Sequence, residues 1–123
     1  MNGKAQKILV IDDDEAIRES AMYFLENEGY SVSVAKDGDE ALKLFSLMPY
    51  DLVISDIIMP GTDGLDTMAE MKKRNFDLKI LAISGVEMKE DFLEMAYLYG
   101  ADRKLGKPFT RQQLVKTVSE MFR

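Results

Sequence analysis

Cysteine and histidine are both absent from this chain. Without thiols there is no disulfide, no thiolate nucleophile and no thiolate metal site. Without imidazole there is no Ser-His triad, no imidazole general base and no histidine-ligated zinc. Long apolar runs are missing too. None approaches about 18 residues, and the N-terminal MNGKAQK lacks the apolar core of a secretion signal. A net charge of −6 argues against a nucleic-acid surface and against an anionic membrane, so neither is an expected partner. A cytoplasmic protein is expected, with chemistry carried by carboxylates, hydroxyls, lysines and a hard, oxygen-preferring cation.

What is present is an ordinary globular composition, 46% apolar and 31% charged, over 123 residues. A single domain spanning 1–123 is expected. Apolar runs and amphipathic stretches alternate along it. KILVID (7–12) reads as a strand, and the stretch 15–29 places Ile17, Ala21, Phe24 and Leu25 at helical spacing before Gly29. YSVSVA (30–35) alternates as a strand, and 37–48 sets Ala41, Leu44, Phe45 and Met48 on one helical face. DLVIS (51–55) is a strand, 65–75 a short helix with Leu65, Met68, Ala69 and Lys72 in register, and LKILAIS (78–84) a fourth strand. A helix over 89–100, a short strand over 102–106 and a last helix with Leu114, Val118, Met121 and Phe122 inward complete the chain.

Five strands alternating with five helices predict repeated strand-helix-strand units. Right-handed crossovers assemble these into a doubly wound α/β domain with a parallel sheet. Near-continuous apolar strands at 8–11, 52–54 and 80–83 fit central positions covered on both faces. Ligands of such sheets sit beyond the carboxyl ends of the strands. There the first strand delivers Asp12, Asp13 and Asp14, the third Asp56, the fourth Ser84 and Gly85, and the fifth Gly106, Lys107 and Pro108. Acids, one hydroxyl and one lysine converge on one edge. Three carboxylates so placed repel one another, and a bound divalent cation relieves this. All-oxygen ligands suit Mg²⁺.

The segments ILVIDDDEA, DLVISDIIMPGTDG, LAISG and GADRKLGKPF, in this order and spacing, resemble the signature segments of response-regulator receiver domains, the phosphoacceptor half of two-component signalling. The likeness covers essentially the whole chain. It implies a flavodoxin-like, CheY-like sheet of strand order 2-1-3-4-5. It implies a signalling switch, not a turnover enzyme, that assists its own phosphorylation and dephosphorylation. The implied phosphoacceptor is Asp56. Mg²⁺ (or Mn²⁺) would be held directly by Asp13, through water by Asp12, by an Asp56 oxygen and by the main-chain carbonyl of Ile58. Lys107, before a cis Lys107–Pro108 peptide, would pair with Asp56 and then with a phosphoryl oxygen, and Ser84 would hydrogen-bond another. The implied donors are a sensor histidine kinase or a histidine phosphotransfer protein. The implied receivers of the signal are a downstream effector, a fused output domain or a second phosphorylated copy. They would meet a face of the fourth helix, fifth strand and fifth helix carrying Ser84, Tyr97, Lys104 and Arg111.

Plainer readings compete at several positions. Asp14 is better explained as a helix cap than as a ligand. Gly61 and Gly64 serve backbone conformation, and the methionines fill the core. Tyr97 points away from Phe92, Ala96 and Tyr99 on its helix, which is either a partner surface or scatter. A haloacid-dehalogenase-type phosphohydrolase needs a second acid where Ile58 stands. A flavodoxin-like cofactor binder would not place DDDEA where phosphate must sit. A non-catalytic receiver would usually have lost one of the acids or the lysine. The chain departs from the family at Lys104, where an aromatic often couples to the hydroxyl residue. The resemblance also implies two positions flanking the path of a hydrolytic water; Ile58 and Val86 occupy them here, and neither side chain can hydrogen-bond it. A long-lived phosphoryl state is therefore expected.

Overall fold

The computed structural model describes residues 5–59, 62–85 and 90–123. In chain order its elements are β1 (Lys7–Ile11), α1 (Glu15–Glu26), β2 (Ser31–Ala35), α2 (Gly38–Leu47), β3 (Leu52–Asp56), β4 (Ile58–Met59), β5 (Thr62–Asp63), α3 (Gly64–Arg74), β6 (Lys79–Ser84), α4 (Glu90–Leu98), β7 (Arg103–Gly106) and α5 (Arg111–Met121). Five strands form one parallel sheet in the order β2-β1-β3-β6-β7. Counting only these five, the order is the expected 2-1-3-4-5.

The alternation of side chains along a strand explains why the central strands look apolar throughout. In β1, Leu9 and Ile11 enter one cluster with Val53, Ile80, Ala82, Ala41, Met68, Met71 and Ala96, under α2, α3 and α4. Ile8 and Val10 enter the other with Leu52, Ile54, Leu81, Ile83, Ala21, Leu25, Leu114 and Val118, under α1 and α5. Both parities are buried because both faces carry helices. Fully burying one such Leu or Ile contributes about 1.5–3 kcal/mol, so the strand ends are anchored from both sides.

Local chemistry sets the helix starts. Asp14 caps α1 by accepting from the Ala16 amide at 2.9 Å. Asp37 caps α2 by accepting from the Glu40 amide at 2.8 Å, while Glu40 accepts from the Lys36 amide at 3.0 Å. Thr110 and Gln113 form a reciprocal capping box at the start of α5. Gly29 closes the α1–β2 connection at φ +94°, a conformation that favours glycine.

Two details differ from the sequence reading. Met48 is not on the inward face of α2. It is the C-cap, in extended conformation, and 37% exposed. A two-stranded antiparallel ribbon, β4–β5, also stands beside the sheet, pairing Ile58 with Asp63 and Met59 with Thr62. Its first residue lies only two positions after Asp56, so the chain leaving β3 is held by pairing and does not simply wander as a loop.

Candidate functional site

Three elements deliver carboxylates and an ammonium group to one point at the carboxyl edge of the sheet. Asp12 follows β1 directly and prolongs it, its amide donating to the Ala35 carbonyl at 3.1 Å. Asp56 is the last residue of β3, opposite Ile83. Lys107 follows β7, and its amide donates to the Ser84 carbonyl at 2.6 Å. Ser84, 6% exposed, ends β6 opposite Gly106. The Lys107–Pro108 peptide is cis.

Lys107 Nζ lies 2.8 Å from Asp12 Oδ2 and 3.0 Å from Asp56 Oδ2, bridging the two acids. Asp12 is fully buried and Asp56 is 6% exposed. Burial pushes the Asp12 carboxyl above its ordinary pKa, because the lysine and the Asp14 amide only partly offset lost solvation. Burial alone would lower the Lys107 pKa. Its two carboxylate partners together outweigh that and raise it, so the ammonium stays charged. One lysine therefore holds two dry acids, and removing the lysine would leave two buried carboxylates without a counter-charge.

The residues present fit a divalent cation. Asp12, Asp13 and Asp56 each offer a carboxylate oxygen, and these oxygens lie within 4.8 Å of one another. Asp13 is exposed and opens the cluster to solvent. Asp12 Oδ2 is buried and makes an ion-pair contact with Lys107 but no aligned hydrogen bond, so it keeps unmet acceptor capacity. Its other oxygen accepts from the Asp14 amide at 2.9 Å. A hard oxygen-seeking ion would use that unmet capacity.

Two further residues shape this edge. Arg18 Nη1 donates to the Asp12 carbonyl at 2.8 Å, turning back from α1 onto the loop that carries Asp12 and Asp13. Sequence reading passed over Arg18. The available signal was its place one helical turn after the Asp14 cap. Gly64 opens α3 hard against the chain leaving β3. A Cβ there would stand 2.8 Å from the Asp56 carbonyl, the Ile57 Cα and the Ile57 carbonyl. The expected conformational role of Gly64 is thus corrected to one of close approach, since its φ needs no glycine. Gly61 lies outside the described residues.

The other expected positions divide. Tyr97 is 43% exposed, and Lys104 Nζ stands over its ring at 5.9 Å from the centroid. Ala96 is buried beside it and Tyr99 partly so. Arg111 opens α5, and its guanidinium pairs with Glu28 at 3.1 Å, which ties α5 to the end of α1. Val86 lies outside the described residues, and for Ile58 the main chain alone is described, paired to Asp63.

Comparison with known proteins agrees with this geometry. A family model described as response regulator receiver domain matches residues 8–119. Response regulator RR06 of Streptococcus pneumoniae is 36% identical over 116 residues, covering 94% of this chain and 52% of that protein. Response regulator MprA of Mycolicibacterium vanbaalenii is 38% identical over 118 residues, covering 95% and 50%. The chain thus spans about half the length of these relatives. Among solved structures, a CheY-like receiver domain protein from Methanospirillum hungatei superposes with a TM-score of 0.91 at 27% identity, covering 96% of this chain and 94% of that one. Chemotaxis protein CheY4 of Vibrio cholerae gives 0.88 at 29%, covering 95% and 98%. The chain belongs to the response regulator receiver domain family of two-component systems, in which phosphorylation and Mg²⁺ binding at an acidic pocket are typical. Among the described residues no helix is long and apolar enough to cross a membrane.

Proposed function

We propose that this chain, as one receiver domain over residues 1–123, takes a phosphoryl group onto Asp56 from a histidine kinase or histidine phosphotransfer protein. The observation that carries the reading is the single lysine bridging two nearly dry carboxylates, Asp12 and Asp56, beside a third, Asp13. Asp12, Asp13, Asp56 and the Ile58 carbonyl would hold Mg²⁺, with Mn²⁺ as a substitute. When bound, the cation supplies neutralisation of the charge on the transferring group.

The protein's own groups do the rest. Asp56 attacks phosphorus through a carboxylate oxygen, and the bond from phosphorus to the donor nitrogen breaks as the acyl phosphate forms. Lys107 is already charged and within reach, and it exchanges part of its contact with Asp56 for a phosphoryl oxygen. Ser84 donates its hydroxyl proton to another. Both groups thereby shift at the ends of β6 and β7. The readout is a change in affinity for an effector, a fused output domain or a second copy at the surface carrying Tyr97 and Lys104. This makes the chain a switch in a cytoplasmic signalling path, without turnover chemistry of its own beyond forming and losing one acyl phosphate.

The test is intact mass after incubation with acetyl phosphate and Mg²⁺. One phosphoryl group of roughly 80 Da, lost on hydroxylamine treatment, is expected. Asp56→Asn should not be labelled, and normal labelling of that variant would overturn the assignment.

A further inference from the structure

Of the three clustered carboxylates, Asp13 is the exposed one. Asp12 is buried against the sheet, and Asp56 ends β3 with the Ser55 hydroxyl donating to its carbonyl at 3.0 Å. Asp13 stands outside the sheet, in the turn of residues 12–14 between β1 and α1. Like charge on its two neighbours favours an Asp13 carboxylate that swings out toward water. Its backbone opposes this. The peptide ahead of Asp13 is held through the Asp12 carbonyl, which accepts from Arg18 Nη1 at 2.8 Å. The peptide behind it is held through the Asp14 amide, which donates to Asp12 Oδ1 at 2.9 Å. Arg18 is itself anchored, its own amide donating to the Asp14 carbonyl at 3.1 Å. It thus spans the turn and grips the residue on either side of Asp13.

The two grips differ in what a cation does to them. Asp12 Oδ1 belongs to a carboxylate of the cluster, so an ion drawing on Asp12 competes with the Asp14 amide for its charge. The Arg18 bond ends on a main-chain carbonyl and does not spend the charge of any clustered carboxylate. We propose that Arg18 is a positioning residue for divalent-cation binding, fixing the Asp12–Asp13 peptide so that the Asp13 carboxylate stays within the cluster before an ion arrives. The proposal rests on the reading of Asp12, Asp13 and Asp56 as a Mg²⁺ site. Arg18 acts through geometry and against its own charge, because a guanidinium near the cluster repels a divalent cation. Positioning and charge therefore predict effects of opposite sign on Mg²⁺ affinity.

The experiment is titration of the unphosphorylated protein with MgCl₂, followed by amide NMR shifts in β1 and α1. Arg18→Ala should bind Mg²⁺ about tenfold more weakly than the wild type, although loss of a nearby positive charge alone would tighten binding. Arg18→Lys keeps the charge and a donor of similar reach, and it should recover most of the affinity. Arg18 is only partly buried, so thermal unfolding of Arg18→Ala in EDTA should stay cooperative and lie within a few degrees of the wild type. Unchanged or tighter Mg²⁺ binding by Arg18→Ala overturns the proposal. So does an Arg18→Lys protein that binds as weakly as Arg18→Ala. Loss of cooperative unfolding in Arg18→Ala also overturns it, by assigning Arg18 to the fold. A wild type that binds no Mg²⁺ overturns instead the reading of the cluster as a cation site, so the two failures are told apart.

Discussion

Lys104 Nζ stands 5.9 Å from the centroid of the Tyr97 ring. The pair links β7 to α4 at a position where receiver domains often carry an aromatic residue, so the coupling here is of cation to ring. At this distance and exposure the attraction is worth about 0.5–1 kcal/mol. A double-mutant cycle with Lys104→Met and Tyr97→Leu, followed by urea unfolding, should give a coupling of about 0.5 kcal/mol. Additive single effects would show that the two side chains merely lie near each other.

The buried carboxylate of Asp12 should cost stability when no cation is bound. Asp12→Asn should stabilise the metal-free protein at neutral pH by about 1–2 kcal/mol, since a dry charge is removed while Lys107 keeps Asp56. The sign of the pH dependence follows from the raised folded-state pKa. Below the ordinary value of 3.8 the carboxyl is neutral in both folded and unfolded chains, and the variant has no advantage. As pH rises through the raised value, the folded wild type pays for ionisation and the advantage grows to its plateau. Thermal unfolding in EDTA across that range measures the difference. The same variant should bind Mg²⁺ at least about tenfold more weakly, having lost a carboxylate from the cluster.

Lys107→Ala leaves Asp12 and Asp56 buried without their shared cation. The metal-free variant should be destabilised by about 2–4 kcal/mol at neutral pH, and Mg²⁺ should restore most of the loss. Its affinity for Mg²⁺ should rise, because a competing positive charge is gone. Titration followed by calorimetry decides the matter, and an unchanged affinity would place Lys107 outside the ion's field.

The lifetime of the phosphoryl group should be long. If Ile58 and Val86 flank the path of an attacking water as the family resemblance implies, their apolar side chains cannot hydrogen-bond it, and the double change Ile58→Asn and Val86→Glu should speed dephosphorylation by about tenfold, or roughly 1.4 kcal/mol of barrier. Loss of phosphorylated protein after donor removal, at constant Mg²⁺, is the measurement. A wild type that decays as fast as the double variant would show that these side chains do not govern water access.

Most of the sheet was legible in the sequence because its central strands are apolar at both parities and its helices keep a 3.6-residue period. The strands β1, β2, β6 and β7 each start or end one residue inside the expected range, although Asp12 and Asp102, just outside β1 and β7, still bond to neighbouring strands. The β4–β5 ribbon was not legible. Ile57, Ile58 and Met59 continue the apolar run of β3, and Pro60 and Gly61 read as a plain loop. Asp12, Asp56 and Lys107 were legible as strand-end residues, since position alone brings them together once the fold is known. Arg18 and Arg111 were not, because the partner of a long flexible cation depends on tertiary packing. Arg18 finds a backbone carbonyl six residues earlier, and Arg111 finds Glu28, 83 residues away.

The main-chain bond from the Lys107 amide to the Ser84 carbonyl, at 2.6 Å, is the last rung between β6 and β7. It gears the two strand ends together. On the proposed function, pulls on the Ser84 hydroxyl and on the Lys107 ammonium would reach the backbone at this same rung. The segment after Ser84 leads to α4, and the segment after Lys107 leads to α5. On the proposed function, both helices would answer to one input, and a load on either would be returned through the same rung to the acidic edge.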